Sequence, residues 1–305
     1  MSYSNSIIFG PIPSRRFGIS LGVDLSPAFK QCNYDCLYCE LEPAKTVSSM
    51  QSYPSVKEII TAIEESFEKH PKIDVITVTA NGEPTLYPFL DELITQINRI
   101  KNRAKTLILS NGSTIYKEEV FNALLKFDTV KLSLDCVSET CFKKLDRIHK
   151  GISIEKIIEA MMAFSKSTKH AFVLEVLFVK DLNDKKTEIE LLYDAIKKIN
   201  PHRIDIGTID RPPAYKVQPV TFESLQSIAE HFKGLNVNIA YKNRPKQTNS
   251  FTQEEIFSLL KRRPLTQEDI ENLFDKKSQE LLAILVKTSK ISVVNSSGVQ
   301  FYKFL

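Results

Sequence analysis

The chain has 305 residues, enough for about two domains, and its 42% hydrophobic and 26% charged residues support globular folding rather than disorder. Its apolar runs fall far short of the roughly 18 residues that a membrane span requires. The first residues lack the basic and apolar regions of a secretory signal, so we expect a cytoplasmic protein. A net charge of +4 indicates a nucleic-acid partner only if the excess is concentrated in one segment.

Strands and helices are predicted to alternate over the first 240 residues. The predicted strands are 19–24, 74–79, 105–110, 129–134, 171–179 and 203–209. The predicted helical segments are 56–69, 88–102, 117–127, 138–148, 154–167, 186–199 and 221–232. This alternation is typical of parallel βα units, and six units predict a curved, barrel-like sheet that binds ligands at the carboxyl ends of its strands.

The last 65 residues predict a separate, smaller unit. Thr252 and Thr266 each stand three residues before an acidic residue, the spacing of a capping box at a helix start. A third helix and two short strands around a turn at 295–298 follow, and three helices with a terminal hairpin are typical of a winged helix. The predicted division is a core at 1–240, a basic linker at 241–250 and a winged-helix-like domain at 251–305.

The positive charge of the chain is concentrated next to this boundary. Residues 241–263 carry six basic residues against two glutamates, a surplus equal to that of the whole chain. The basic residues are Lys242, Arg244, Lys246, Lys261, Arg262 and Arg263. Lysine and arginine neutralise backbone phosphates, so this segment favours RNA binding through Lys242, Arg244, Lys246, Arg262 and Arg263.

Three of the five cysteines lie within eight positions, with the spacing Cys32-x3-Cys36-x2-Cys39. Such crowding indicates metal ligation in a reducing compartment rather than a disulfide framework. Three thiolates on one loop can ligate three irons of a 4Fe–4S cluster and leave the fourth iron for an exchangeable ligand. Zinc is the alternative, but a structural zinc site takes four ligands, and only the distant His70 or His149 could complete it.

This cysteine pattern, placed after the first strand of a parallel sheet, resembles the radical S-adenosylmethionine (SAM) superfamily over roughly residues 10–235. The resemblance implies a partial (βα)6 barrel, a 4Fe–4S cluster held by the three cysteines, and SAM bound to the unique iron. One electron from the reduced cluster then splits SAM into methionine and a 5′-deoxyadenosyl radical. It also implies a reducing partner such as flavodoxin or ferredoxin.

The segment Asn81-Gly82-Glu83-Pro84 resembles the Gly-Gly-Glu motif of the same superfamily, with Asn81 in place of the first glycine. Glu83 would accept a hydrogen bond from the methionine amine, and Gly82 would let the backbone approach the ligand. An ordinary turn between a strand and a helix is the alternative.

Further SAM contacts are implied at the ends of the other strands. Small polar residues there would bind the ribose and the methionine carboxylate, although they also cap helices. The implied SAM residues are Tyr38, Asn111, Ser133, Asp135, Thr208 and Ile209, with Tyr38, Thr208 and Ile209 near adenine. Arg15, Arg16 and Arg211 are candidate substrate contacts. Glu175 is predicted to face inward as a site residue, and a single carboxylate that is solvated or paired is the alternative.

Residues 9–18, Arg147 and Arg211-Pro-Pro213 resemble a subgroup of iron–sulfur oxidoreductases related to the wyosine-forming tRNA enzymes. Those enzymes carry an additional cluster on further cysteines, whereas only Cys136 and Cys141 remain here. We interpret them as helix-packing thiols, and chemistry at Cys136, one residue after Asp135, is the alternative. The dual-cysteine methyltransferases of ribosomal RNA need a cysteine near their C-terminus, and none follows Cys141.

The substrate class favoured by these features is RNA, tRNA first. Modification of a protein, a peptide or a small metabolite is the alternative within the same chemistry. A non-enzymatic iron–sulfur regulator with a winged-helix DNA- or protein-binding module is the alternative from another class. Such a regulator would leave Gly82, Glu83 and the six-unit sheet unexplained.

Overall fold

The computed structural model describes residues 7–14, 17–70, 72–239, 248–262, 264–296 and 299–305. Several predicted contact residues lie outside this part of the chain: Arg15, Arg16, Lys242, Arg244, Lys246, Arg263 and the side chain of Arg262. The described residues contain no helix that is both long enough and apolar enough to cross a membrane.

The first 240 residues contain an eight-stranded sheet whose strand order follows the sequence. Its strands are β1 (Ile8–Ser14), β2 (Gly18–Asp24), β3 (Val75–Thr79), β4 (Lys105–Ser110), β5 (Thr129–Ser133), β6 (Ala171–Phe178), β7 (Arg203–Thr208) and β8 (Val237–Ile239). β1 pairs antiparallel with β2, and β2 to β8 are parallel. The six predicted strands are confirmed, and β1 and β8 are additions that the sequence analysis missed.

Seven α-helices connect the strands, and their order matches the prediction. They are α1 (Val56–Lys69), α2 (Leu90–Ile100), α3 (Glu118–Leu124), α4 (Glu139–Leu145), α5 (Ile154–Ser167), α6 (Lys186–Ile199) and α7 (Phe222–His231). α1 begins with a capping box, in which Ser55 Oγ accepts from Glu58 N and the Glu58 carboxylate accepts from Ser55 N. Its buried face, including Ile59 and Ile63, packs into the main core.

The sheet curves, so that its distant strands approach each other at both edges. At the carboxyl edge, Ala214 N in the loop after β7 donates to Cys39 O in the loop after β2, at 2.8 Å. At the amino edge, the Arg203 guanidinium lies 5.7 Å from the centroid of the Phe17 ring. In a flat sheet, five strand spacings would separate β2 and β7 by about 24 Å. The parallel strands therefore form the predicted barrel-like arrangement.

Alternate residues of the strands face the two sides of the sheet. Leu132, Leu174 and Ile206 lie on the helix-covered side, within the main hydrophobic core. Lys131, on the concave side, forms ion pairs with Glu175 and with Asp205, whose Oδ2 is 3.5 Å from Nζ. Glu175 thus occurs as a paired carboxylate, one of the two predicted alternatives.

The described residues between 248 and 305 form three helices and a small antiparallel sheet of order β10-β11-β9. The elements are α8 (Gln253–Arg262), β9 (Leu265–Thr266), α9 (Gln267–Leu273), α10 (Lys276–Lys287), β10 (Ile291–Ser296) and β11 (Val299–Phe304). The predicted capping boxes at Thr252 and Thr266 and the predicted terminal hairpin are confirmed. β9 was not predicted, because a strand of two residues is too short to show the alternating pattern of a strand. The winged-helix assignment and the domain division at 241–250 stay predictions.

The C-terminal elements pack on the first strand of the large sheet. Their hydrophobic cluster includes Phe251, Ile256 and Phe274, and Ile12 of β1 also belongs to it. On the surface, Lys303 Nζ of β11 lies 2.5 Å from Glu42 Oε1, three residues after the last cysteine of the loop. These contacts place the C-terminal elements beside the cysteine loop.

Candidate functional site

The cysteine loop leaves the carboxyl end of β2 and is fixed at its start by two buried polar side chains. The Asp24 carboxylate accepts from Ser26 N at 2.9 Å and from Asn81 N at 2.8 Å, which ties the loop to the end of β3. The Gln31 amide donates to Ser26 Oγ and to Ser52 O, both at 2.7 Å. Because Asp24 and Gln31 are buried, these bonds are protected from competing water.

Gly82 sits where the cysteine loop touches the segment after β3. Gln31 N donates to Asn81 O at 2.9 Å, and Glu83 N donates to Gln31 O at 3.0 Å. Gly82 has φ +139°, and a Cβ at this position would lie 1.9 Å from Gln31 O. The close approach of two backbones therefore requires glycine here, in addition to the predicted approach of a ligand.

Cys32, Cys36 and Cys39 are free and partly buried. Tyr34 N donates to Cys32 Sγ at 3.4 Å, and Asn111 Nδ2 donates to the same sulfur at 3.7 Å. Burial raises the pKa of Cys32 to about 12, and it also raises the pKa of Cys36 and of Cys39. A bound metal would supply the positive charge that keeps such thiols deprotonated.

The spacing of the sulfurs argues against zinc. Tetrahedral Zn–S bonds of about 2.3 Å hold ligand atoms roughly 3.8 Å apart. Among the described residues, the loop cysteines do not form a group of three or more ligand atoms within 4.8 Å of one another. An iron–sulfur cubane spreads its thiolates over separate irons, so the donor set fits that cluster better.

Glu83 is buried, with 1% of its surface exposed, and its carboxylate accepts four hydrogen bonds. Oε1 accepts from Thr85 N at 2.9 Å, Thr85 Oγ1 at 2.6 Å and Ser110 Oγ at 2.7 Å, and Oε2 accepts from Asn111 N at 2.8 Å. Burial raises the pKa of Glu83 although these donors oppose the shift. The side chain thus joins the ends of β3 and β4, a role that the sequence analysis missed. Its contact with the methionine amine stays a prediction.

Several of the predicted SAM residues meet around one small cavity at the carboxyl edge. Tyr38, Asn111, Ser133 and Asp135 all line it. Tyr38 Oη donates to Asp135 Oδ2, and Asp135 Oδ1 accepts from Leu177 N at 2.7 Å. Burial raises the pKa of Asp135 to about 7. The structure therefore brings four of the predicted residues together next to the cysteine loop.

Thr208 and Ile209 do not line this cavity. Thr208 Oγ1 donates to Phe178 O at 2.8 Å and accepts from Val220 N at 2.9 Å, so the hydroxyl joins neighbouring strand ends. The partly buried Ile209 packs against the main core. Their predicted position beside adenine stays a prediction.

Residues 27–196 match the Radical SAM superfamily, which is more than half of the chain. A UPF0026 protein of Helicobacter pylori (strain J99) is 40% identical over 299 residues, 97% of each chain. The chain belongs to the radical SAM superfamily. A probable dual-specificity RNA methyltransferase RlmN of Exiguobacterium sibiricum is 22% identical over 198 residues, 62% of this chain and 54% of that protein.

The same fold occurs in a solved structure of TYW1 with a lysine-pyruvate adduct bound. The two chains superpose with a TM-score of 0.55 at 17% identity, over 71% of this radical SAM protein and 74% of TYW1. The predicted family and its mostly parallel α/β architecture are thereby confirmed.

A radical SAM enzyme uses a 4Fe–4S cluster and SAM as its cofactors. When bound and reduced, the cluster supplies the electron that cleaves SAM to a 5′-deoxyadenosyl radical. In this chain Cys32, Cys36 and Cys39 would hold three irons. The N–H groups of Tyr34 and Asn111 would stabilise negative charge on the Cys32 sulfur, as hydrogen bonds to cluster sulfurs generally do.

Arg211 makes a contact that the sequence did not predict. Its Nη1 donates to Glu40 Oε2 at 2.7 Å, so the arginine is paired with the residue that follows Cys39. Burial lowers the pKa of Arg211, but the carboxylates of Glu40 and Asp210 outweigh this effect and raise it. Its Nε is buried without a hydrogen-bond partner among the described residues. A role of Arg211 in substrate contact stays a prediction.

The interpretation of Cys136 and Cys141 as packing thiols is wrong, because the structure joins them in a disulfide. Cys136 lies in the loop between β5 and α4, and Cys141 lies in the first turn of α4; their Cα atoms are 5.6 Å apart, a separation that a disulfide can bridge. Glu188 holds this loop by accepting from Val137 N at 2.6 Å and from Ser138 N at 3.0 Å. The turn is set by this long-range contact, which the sequence pattern does not reveal.

Proposed function

We propose that this radical SAM enzyme modifies RNA, with tRNA as the class to test first. The observation that carries the proposal is the position of the basic segment 241–263 in the chain. The chain enters this segment from β8, which runs parallel to β7 and so ends at the carboxyl edge of the sheet. The cysteine loop leaves β2 at the same edge. A basic segment that begins there supports binding of a polyanion beside the radical site.

Two further observations support the same substrate class. Lys303 of β11 pairs with Glu42 beside the cysteine loop, so the C-terminal elements lie close to the region where a large substrate would enter. The RlmN relative is named as an RNA methyltransferase.

We also propose which residues form the site. Cys32, Cys36 and Cys39 hold the cluster, and a flavodoxin or ferredoxin in the cytoplasm supplies the electron. SAM binds at the carboxyl edge against Tyr38, Gly82, Glu83, Asn111, Ser133, Asp135, Thr208 and Ile209. The phosphates of the RNA lie on Lys242, Arg244, Lys246, Arg262 and Arg263.

Charge reversal tests the RNA contact. Changing Lys242, Arg244 and Lys246 to Glu should weaken binding of total tRNA in a gel-shift assay, because each lost phosphate contact removes counterion release. The slope of log affinity against log salt should flatten by about 0.7–0.9 for each lost contact. Cleavage of SAM without substrate should continue at the wild-type rate, because none of the three residues is among the proposed cluster or SAM contacts.

The matched control reverses three exposed lysines around α1, Lys57, Lys69 and Lys72, and should leave tRNA binding unchanged. A variant with all three loop cysteines changed to Ala should bind tRNA and modify none. Modification is detected by mass spectrometry of nucleosides after reaction with tRNA from a strain that lacks the gene. Absence of tRNA binding at low salt would contradict the proposal and favour a protein, peptide or metabolite substrate.

A further inference from the structure

A buried lysine lies beside the cysteine loop and has no part in the proposed function. Lys30 stands two residues before Cys32, and only 7% of its side chain is exposed. Its Nζ lies 3.3 Å from Oδ1 of Asp35, the residue directly before Cys36. Burial of an ammonium group is costly unless negative charge faces it, so the surroundings of Lys30 must supply that charge.

The Asp35 carboxylate alone does not balance the nearby positive charge, because two cations share this one carboxylate. Its Oδ2 accepts from Tyr215 Oη and lies 3.5 Å from Arg147 Nη1. Arg147 in turn stacks on the Tyr215 ring, with its guanidinium 4.6 Å from the ring centroid. One carboxylate therefore faces two cations, and a positive charge is left over next to the cysteines.

A second carboxylate of the loop, Glu40, is already paired with Arg211 at 2.7 Å. The Lys30 ammonium group thus lies buried within the cysteine loop, on a carboxylate that stands between Cys32 and Cys36 in the sequence.

We propose that Lys30 sets the reduction potential of the 4Fe–4S cluster, with Asp35 as the residue that positions it. Reduction adds one negative charge to the cluster, and a fixed cation in a site of low dielectric constant stabilises the reduced state more than the oxidised state. Lys30 therefore raises the potential and makes the cluster easier to reduce. This inference rests on the assignment of Cys32, Cys36 and Cys39 as ligands in the proposed function.

The test is a potentiometric titration of the anaerobically reconstituted full-length protein, read by electron paramagnetic resonance of the reduced cluster without SAM or RNA. At the potential where the wild-type cluster is half reduced, Lys30→Met should lower the ratio of reduced to oxidised cluster at least tenfold, a 59 mV shift for one electron. Lys30→Arg keeps the charge and should stay near the wild-type ratio. Lys45→Met removes the same charge from an exposed side chain and should change the ratio less than twofold.

Iron and sulfide contents accompany each titration. An unchanged ratio in Lys30→Met with four irons bound would overturn the proposal, and so would an equal change in Lys45→Met. If Lys30→Met does not load, Lys30→Gln decides the matter: it removes the same charge but keeps a polar group that can donate to Asp35, and a wild-type potential with four irons bound overturns the proposal. Failure of the RNA function is distinguishable, because no RNA is present. A wild-type protein without iron would refute the cluster assignment itself.

Discussion

At the scale of single residues, the site depends on carboxyl groups that the fold removes from water. Asp135 is 4% exposed, and its two oxygens accept from Tyr38 and from the backbone of β6. These bonds do not fully replace hydration, so burial raises the pKa of Asp135 to about 7. A proton on this residue therefore stabilises the folded protein.

Asp135→Asn should change the pH dependence of stability. The folded pKa lies above the ordinary value of 3.8, so the folded state binds the proton more tightly. The stability that this provides is complete below pH 3.8 and is lost as the pH rises through 7. Relative to Asp135→Asn, the free energy of unfolding of the wild-type protein should fall by on the order of 2–3 kcal/mol between pH 5 and pH 8. Urea unfolding of the metal-free proteins at several pH values measures this difference.

Asp128→Asn provides the control for that experiment. Burial raises the pKa of Asp128, but hydrogen bonds from Lys101 and Thr106 outweigh this effect and lower it. The stability that the Asp128 carboxylate provides is therefore lost only as the pH falls through this lowered pKa. The stability difference between wild type and Asp128→Asn should then stay constant between pH 5 and pH 8. Unfolding free energies of the wild type and Asp135→Asn that change equally with pH would contradict the raised pKa of Asp135.

At the scale of elements, the site is assembled by the pairing of two loops that leave neighbouring strands. Gln31 forms a parallel bridge with Gly82, with backbone hydrogen bonds on both sides of the glycine. This pairing orients the cysteine loop relative to the segment that carries Glu83. Its geometry leaves no room for a side chain at Gly82.

Gly82→Ala should therefore be far more damaging than a typical glycine substitution. The added Cβ would overlap Gln31 O, and we expect a loss of about 3–5 kcal/mol of unfolding free energy together with reduced cluster loading. Gly151→Ala is the matched control, since Gly151 also has positive φ but no atom within 4 Å of an added Cβ. It should cost about 1–2 kcal/mol from backbone strain alone. Equal losses in urea unfolding would show that the loop pairing is not responsible.

At the scale of the whole molecule, strand β1 joins the large sheet to the C-terminal elements. Ile12 belongs to the C-terminal hydrophobic cluster, whereas Ile8 on the same strand packs against the main core. The side chains of one strand thus contribute to two separate cores. The contact allows the C-terminal elements to be held beside the cysteine loop.

Ile12→Ala should loosen the C-terminal elements selectively. Loss of a buried isoleucine side chain costs about 2–5 kcal/mol, and the cost should fall on the cluster that contains Ile12. Hydrogen exchange detected by mass spectrometry should become faster in α8 and β11 while β4 to β6 keep their protection. Ile8→Ala should leave α8 and β11 unchanged. Equal acceleration in both variants would contradict a separate C-terminal unit.

Much of the fold could be predicted from the sequence because its signals are local. Apolar spacing and turn residues act over a few positions, and they indicated six strands, the connecting helices and the terminal hairpin. β1 was missed because Gly10, Pro11 and Pro13 are atypical of a strand. β8 was missed because three residues are too few to show a period.

The sequence by itself also predicted a 4Fe–4S cluster and SAM as the cofactors, which the family match supports, because Cys32, Cys36 and Cys39 form a pattern within a single loop. Only the tertiary structure decided what surrounds that loop. Asp35 meets Tyr215 across 180 positions, and Glu188 accepts from Val137 N across 51 positions. The physical reason is that such contacts arise from the curvature of the sheet and from the packing of distant loops, which no local pattern specifies.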